Sequence, residues 1–344
     1  MKKRIPFLAI LVALLWGFNL NSTQAQDIHW SQFRLSPMNL NPAATAIFRG
    51  DVRFIGSYRN QWAVDDIVDY LTFSGSVDAK FVNPKMKNSM FGGGIIFNYD
   101  QAGDLSLNLT QIGLNGSYTH QLARQSFLTA GLQVNYTNRR YDSNLRVDNQ
   151  WNGDIFDQSL PTREPMDEAS AGFADFSAGL NYHWQKPSKR HKLDVGVGLF
   201  HIAEPMYSFY EDEDVVYPRR LSLYGLVTLG VGNRIDLLPM AMYQNQGPHT
   251  QLLLGLAGRL HLNQKVTKRT AIQLGLNYRH HEIQGDAWIP NLEFHQQSWL
   301  LGVSYDINIS DFEIHTRNRG GLEVHLNYII TKVKLDELKI CPIF

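Results

Sequence analysis

From Arg53 onward the dominant signal is alternation of apolar and polar positions. Ala178, Leu180, Tyr182 and Trp184 share one face, with Ser177, Gly179, Asn181, His183 and Gln185 on the other. Leu193, Val195, Val197 and Leu199 oppose Asp194, Gly196 and Gly198. Ile272, Leu274, Leu276 and Tyr278 oppose Gln273, Gly275, Asn277 and Arg279. Leu301, Val303, Tyr305 and Ile307 oppose Gly302, Ser304, Asp306 and Asn308, and Leu322, Val324, Leu326, Tyr328 and Ile330 oppose Glu323, His325 and Asn327. A period of two sustained in this way predicts β-strands with one apolar face. About fourteen strands are expected, many of about 9–14 residues, where globular strands run about 5–6.

Alternation leaves open which face points inward. A soluble sandwich turns its apolar face to a core, whereas a membrane barrel turns it to lipid. The apolar faces above carry no charge, as hydrocarbon contact requires, because a charge at mid-bilayer costs roughly 2–4 kcal/mol. Their opposite faces hold Gly, Ser, Asn and isolated charges, whereas a solvated sandwich face favours Thr, Lys and Glu. A Gly-apolar-polar-Tyr phrase recurs at residues 179–182, 275–278 and 302–305, placing rings where an aromatic girdle would lie. The predicted fold class is all-β, a transmembrane antiparallel β-barrel of about fourteen strands, with a large secreted sandwich or propeller as the alternative. Loop lengths agree with the barrel. The longest connections, near residues 139–170, 203–218 and 309–320, all follow odd-numbered strands, and short links such as Gly232-Asn233 and residues 187–191 fall on the other side. With both termini in the periplasm, the long loops face outward.

Composition adds the compartment. Lys2, Lys3 and Arg4 precede a short apolar run at residues 7–18, and Thr23-Gln24-Ala25 offers a cleavage site, so residues 1–25 read as a signal peptide. That run is too short to span a bilayer as a helix. Residues 26–51 then form an irregular segment, periplasmic or lumenal, before a barrel over 52–332 and a periplasmic tail over 333–344. Lys+Arg and Asp+Glu number 32 each, so no net charge recruits nucleic acid. Charged residues make up 19% and aromatics 12%, a pattern of few charges and many rings that suits a surface in contact with outer-membrane lipid. The single cysteine, Cys341, excludes a disulfide framework.

Candidate chemistry is sparse, and no cofactor is expected. No nucleophile elbow, phosphate loop or zinc-helix motif occurs. The string from Asp148 to Asp154, which includes Trp151, resembles half of a calcium loop. Gln150 replaces an expected acid, however, and Ser159 stands where a bidentate Glu should be, so it reads as a polar external loop. Glu211, Asp212, Glu213 and Asp214 form an acidic loop tip, able to meet a basic partner or a cation weakly. His280-His281 ends a strand without a third ligand nearby, which makes rim histidines the default reading. Asp65, Asp66 and Asp69, in the expected first outer loop, look like any acidic barrel rim rather than a hydrolase site.

The two ends of the expected barrel carry a resemblance. Ser31-Gln32-Phe33, Asn39-Leu40-Asn41-Pro42-Ala43-Ala44, Arg49-Gly50-Asp51 and Tyr58-Arg59-Asn60-Gln61-Trp62 resemble the PorP/SprF family of the Bacteroidetes type IX secretion system. Ser304-Tyr305-Asp306-Ile307-Asn308, Asn318-Arg319-Gly320-Gly321-Leu322-Glu323 and the closing Cys341-Pro342 look like the family's last hairpin and tail, with Ile343 a departure from the family's usual Arg. The resemblance implies a non-enzymatic role in protein secretion. It implies association with the periplasmic ring and peptidoglycan-linked subunits, and service to secreted surface proteins such as gliding adhesins. A passive porin or small-solute transporter is the alternative. Cargo would dock on the loops that hold Asp148, Trp151, Asp154 and Glu211–Asp214.

A barrel of this size has a narrow or plugged lumen. Inward glycines at Gly179, Gly196, Gly198, Gly275 and Gly302 would let a plug approach the wall. The stretch SQFRLSPMNLNPAATAIFRGDVRF, residues 31–54, is the candidate. Its prolines forbid a central strand and its Asn and Ser favour fixed turns. It is expected to pack against or into the barrel base, or to face the machine, with Phe33, Leu35 and Leu40 as anchors and Asn41 and Pro42 among the candidate residues.

Overall fold

The computed structural model describes residues 27–61, 70–82, 85–86, 88–102, 107–141, 148–152, 155–157, 159–160, 170–186, 189–208, 215–265, 268–282, 284–310 and 319–331. The expected signal peptide, the tail with Cys341, and Asp65, Asp66 and Asp69 lie outside them. Fourteen strands close into one antiparallel barrel. They are β1 (Val52–Gln61), β2 (Tyr70–Phe81), β3 (Ser89–Ala102), β4 (Leu107–Ala123), β5 (Ser126–Arg140), β6 (Ser170–Lys186) and β7 (His191–Phe200). The second half comprises β8 (Arg220–Val231), β9 (Ile235–Gln246), β10 (His249–Asn263), β11 (Thr270–His281), β12 (Gln284–Gln296), β13 (Trp299–Asn308) and β14 (Arg319–Ile330). Each strand pairs with its sequence neighbours, and the seam closes by β1 on β14, from Val52 opposite Ile330 to Gln61 opposite Gly321. Closure satisfies every ladder without leaving an edge, which a bilayer demands.

The alternation resolves as the sequence predicts. Leu132 and Leu274 point outward and are 67% and 64% exposed, within a band of similarly bare side chains such as Leu114, Leu180, Leu256 and Leu326. Apolar surface on this scale needs a lipid solvent. Outward rings meet across neighbouring strands, with Trp299 and Tyr328 centroids 4.3 Å apart and Tyr278 and Trp288 4.8 Å apart. Inward positions are polar and buried, among them Gln133, Asn135 and Thr137 on β5.

The two ends of the barrel differ. Connections after even strands are short, such as residues 124–125, 232–234 and 297–298. Connections after odd strands include the long ones, at residues 141–169, 201–219 and 309–318. Two odd connections are nevertheless tight turns, between Gln246 and His249 and between His281 and Gln284. The ends are referred to below as the short-turn base and the long-loop mouth.

Candidate functional site: the occupied lumen

Residues 27–50 run through the barrel rather than beside it. Three single turns, Phe33–Leu35, Pro37–Leu40 and Pro42–Ala44, fold the segment compactly. Pro37 and Pro42 stand at the first turns of their helices, where a missing N–H removes no bond. The Asn41 side chain accepts from the Ala43 N–H at 2.9 Å and fixes the last of these turns. The segment, read from sequence as periplasmic or lumenal and packed against or into the base, spans the lumen. Its first described residue, Asp27, sits at the mouth, while the Asp51 N–H donates to the Ile330 carbonyl at the base (2.9 Å).

At the mouth, the Asp27 carboxylate lies 3.0 Å from Arg220 and 3.0 Å from His201, and its backbone N–H donates to Gln246 (2.8 Å). Burial would raise the Asp27 pKa, but Arg220 and the His201 hydrogen bond hold it well below the usual carboxylate range. Burial likewise lowers His201, yet hydrogen bonds to Asp175 (2.8 Å) and Asp27 outweigh it and raise the imidazole above its ordinary value. Two residues on, Arg59 donates to the His29 carbonyl (2.7 Å) and pairs with Asp306 (2.8 Å). The Ser31 hydroxyl donates to Asp306 (2.8 Å) and accepts from Arg279 (2.9 Å). The backbone N–H groups of Ser31 and Gln32 donate to Glu323 at 2.8 and 2.7 Å, and His325 bonds the same carboxylate (2.6 Å). Arg59 and Glu323 are register partners across the β1–β14 seam. The network therefore ties the segment to the place where the barrel closes.

Lower down, the wall divides into two kinds. Phe33 and Leu40 join an apolar cluster with Tyr224, Leu238, Met240, Met242, Leu253 and Ile289 from β8 to β12. On the polar side, the Asn39 amide donates to Ser74 (3.2 Å), and Asn115 and Ser117 donate to the hydroxyl and carbonyl oxygens of Thr45 at 3.1 and 2.9 Å. Arg34 pairs with Glu293. At the base, Arg53 clamps Asp78 (2.6 Å), whose carboxylate also accepts the Ala46 N–H (2.7 Å). That bond holds Ala46 at a φ of 64°, a backbone region unusual for a side-chain-bearing residue. The Phe48 ring lies beneath Arg53 at 4.5 Å, and Lys80 donates to the Phe48 carbonyl.

The anchors and candidate residues named from sequence are all buried here: Phe33 is 3% exposed, Leu35 and Leu40 are each 4%, and Asn41 and Pro42 lie in the middle of the lumen. The five glycines all face inward but serve two purposes. A Cβ on Gly179 would collide with Asn41, on Gly198 it would crowd the Leu40 carbonyl (3.2 Å), and on Gly302 it would meet Leu35 (2.7 Å). Gly196 and Gly275 instead make room for barrel side chains, Tyr224 and Asn291, each at 2.5 Å. Gly131 belongs with the first group, because a Cβ there would land on the Pro42–Ala43 backbone.

Of the loop candidates, Trp151 is the one whose side chain is described. Trp151 sits on a two-stranded patch, Trp151–Asn152 with Ile155–Phe156, its ring 5.7 Å from that of Phe156. The Asp148 side chain, Asp154 and the acidic run Glu211–Asp214 lie outside the described residues. Sequence reasoning did not single out Arg59, Arg279, Asp306, Glu323, Asp27, His201 or Arg220 as a unit. A signal existed in the inward isolated charges on alternating strands. A second lay in Ile235–Gln246, where alternation fails because Leu238, Met240 and Met242 face a partner instead of water.

The model of the type IX secretion system membrane protein PorP/SprF matches residues 22–328. A search of curated proteins returned no match. Among solved structures, a FadL homologue from Pseudomonas aeruginosa is 10% identical with a TM-score of 0.48, covering 84% of this chain and 92% of its own. The CymD monoaromatic hydrocarbon channel is 9% identical with a TM-score of 0.48, covering 86% and 92%. A mutant ferric enterobactin receptor, PfeA, from Pseudomonas aeruginosa is 12% identical with a TM-score of 0.36, covering 75% and 44%. With the family match running from before the lumenal segment almost to the end of the last strand, this outer-membrane β-barrel belongs to the PorP/SprF family of type IX secretion system membrane proteins.

Proposed function

We propose that the protein is a non-enzymatic docking component of type IX secretion, which holds a secreted surface protein such as an adhesin at its long-loop mouth. The observation that carries this reading is the lumen occupied from mouth to base by residues 27–50, with Ser31, Asn41, Ala43, Thr45 and Ala46 all fully buried or nearly so. A barrel occupied in this way suits a platform better than a conduit, and so speaks against the passive porin reading. The mouth also offers protein-binding chemistry. Ile155, Met206 and Trp151 are exposed apolar side chains on its loops, 72%, 57% and 43% accessible. A bridge between Met206 and Val216, with Tyr207 packed edge-on against Tyr217 (5.3 Å), shapes the connection between β7 and β8. Exposed apolar groups on a shaped loop are a common basis for protein docking. The short-turn base then faces the periplasmic ring and the peptidoglycan-linked subunits.

A deletion strain complemented with wild type or with Ile155→Ser/Met206→Ser tests the proposal. Wild type should restore surface display of a secreted protein, while the variant should assemble in the outer membrane and fail to do so. A deletion that leaves the surface proteome intact and alters small-solute uptake would favour the porin reading instead.

A further inference from the structure

The rim of the mouth brings together side chains that are separated in sequence. His249 opens β10 and His281 closes the adjacent β11, whose ladder pairs Gln251 with His281. Both histidines share the inward parity of their strands and lie as diagonal neighbours, ring centroids 6.1 Å apart and planes inclined by 32°. Glu282 follows at once in the tight turn to β12. Its φ of 52° turns the chain in a direction usually reserved for glycine, and its N–H donates to the Thr250 carbonyl (3.0 Å), pinning the turn onto β10. The carboxylate is thereby directed between the two rings. Glu282 Oε1 lies 2.7 Å from His249 Nδ1 and 4.0 Å from His281 Nδ1, and one ligand atom from each of the three residues falls within 4.8 Å of the others.

We propose that His249, His281 and Glu282 form a binding site for a divalent transition-metal ion of the zinc class. Two imidazoles and one carboxylate are a donor set that such ions favour, and three protein ligands leave a fourth position for water or an incoming donor. Ligands about 2.0–2.1 Å from a tetrahedral ion stand about 3.3 Å from one another. Glu282 and His249 must therefore separate slightly while His281 closes in. The carboxylate is half exposed and the imidazoles are only partly buried, so rotamer adjustment suffices. Coordination through Nδ1 requires each ring to be neutral with its remaining proton on Nε2, so any Nδ1 proton now shared with Glu282 shifts or is released.

The surrounding charge does not oppose a cation. Arg220, which lines one cavity with His249, His281, Asp27 and His29, is paired with Asp27 at 3.0 Å. Arg279, on the other side, is paired with Asp306 at 2.8 Å and with Asp286. Glu282 adds a carboxylate that the ion can neutralise. The site borders the mouth end of the lumenal network, sharing a cavity with Asp27, His29 and Arg220, and does not depend on the docking role.

Calorimetric titration of ZnCl2 into the purified full barrel, prepared without a polyhistidine tag, tests the site. One equivalent should bind saturably, and Co2+ in its place should give the visible absorption bands of a four-coordinate ion. His249→Ala and His281→Ala should each weaken binding by about tenfold or more, with heat-modifiable gel mobility showing that the barrel still folds. Absence of saturable Zn2+ binding to the wild type, or binding that survives in the folded double variant, would overturn the assignment.

Discussion

At the mouth, the lumenal segment is held by side chains from strands on both sides of the barrel's closing seam; at the base, it is held by Arg53, Asp78 and Lys80 of the first two strands, β1 and β2. Ser31 and Glu323 are separated by 292 positions, whereas Arg53 reaches back to the Ala44 carbonyl across 9. The base contacts sit beside the covalent join to β1. The mouth contacts exist only once β1 and β14 have closed, because Arg59 and Glu323 face each other across that seam. The mouth therefore reports on closure and insertion together; at the base only the Asp51–Ile330 backbone bond reaches β14, and the side-chain contacts come from β1 and β2.

Arg59→Ala should break this asymmetry most severely. It removes one of the two guanidiniums on Asp306 and the one beside Glu323; breaking a buried pair outright costs about 3–5 kcal/mol, and Arg279 and His325, which remain, keep the loss below that ceiling. A lower melting temperature together with protease cleavage near residues 27–32 is the expected outcome. An unchanged melting temperature would remove the network from the account.

Gly131→Val acts between the two ends. Its side chain occupies the position of the Pro42–Ala43 backbone, an overpacking that costs about 1–3 kcal/mol. Maleimide labelling of a cysteine placed at Ala43, in a Cys341→Ser background, should be slow in the parent and fast in this variant. Equal labelling would show that the middle of the segment is not seated there.

Acidity sharpens the comparison at the mouth alone. The raised pKa of His201 means that its charged form is stabilised by folding. Its contribution is complete below the ordinary imidazole pKa and is lost as pH rises through the raised one. Hydrogen-exchange protection at residues 27–30, taken relative to the intrinsic base-catalysed rate at each pH, should fall with rising pH over that window, and His201→Gln should flatten that fall. Asp27 works in the opposite sense, since its lowered pKa withdraws stability only under strong acid.

Lys80→Ala should have the smallest effect. It removes a bond to the Phe48 carbonyl and a cation-π contact of 4.9 Å, together worth about 1 kcal/mol or less at a partly exposed site. The segment should remain inserted, because its base is tethered by the chain itself. Release on this substitution would contradict the asymmetry.

Much of this architecture is legible in the sequence because lipid imposes one rule on every outward position. Leu274, Leu276 and Tyr278 can be assigned to a face without knowing their neighbours. The prolines and asparagines of residues 31–54 likewise mark an ordered segment that is not a strand. Inward positions follow no single rule, since each is chosen by its partner. Arg59, Arg279, Asp306 and Glu323 lie on four strands, and only the barrel's closed order shows that they converge on residues 29–32. Gly179 and Gly196 look alike in sequence, yet one admits Asn41 of the segment and the other Tyr224 of the wall. Glu282 follows His281 in the chain, but only the β10–β11 register brings His249 to them.

Single-channel recording on the purified wild-type barrel in a planar bilayer tests the central claim most directly. With residues 27–50 seated from mouth to base, the protein should show no steady open level, and Arg59→Ala should introduce one. A large, stable, non-selective conductance in the wild type would contradict an occupied lumen and, with it, the docking role built upon it.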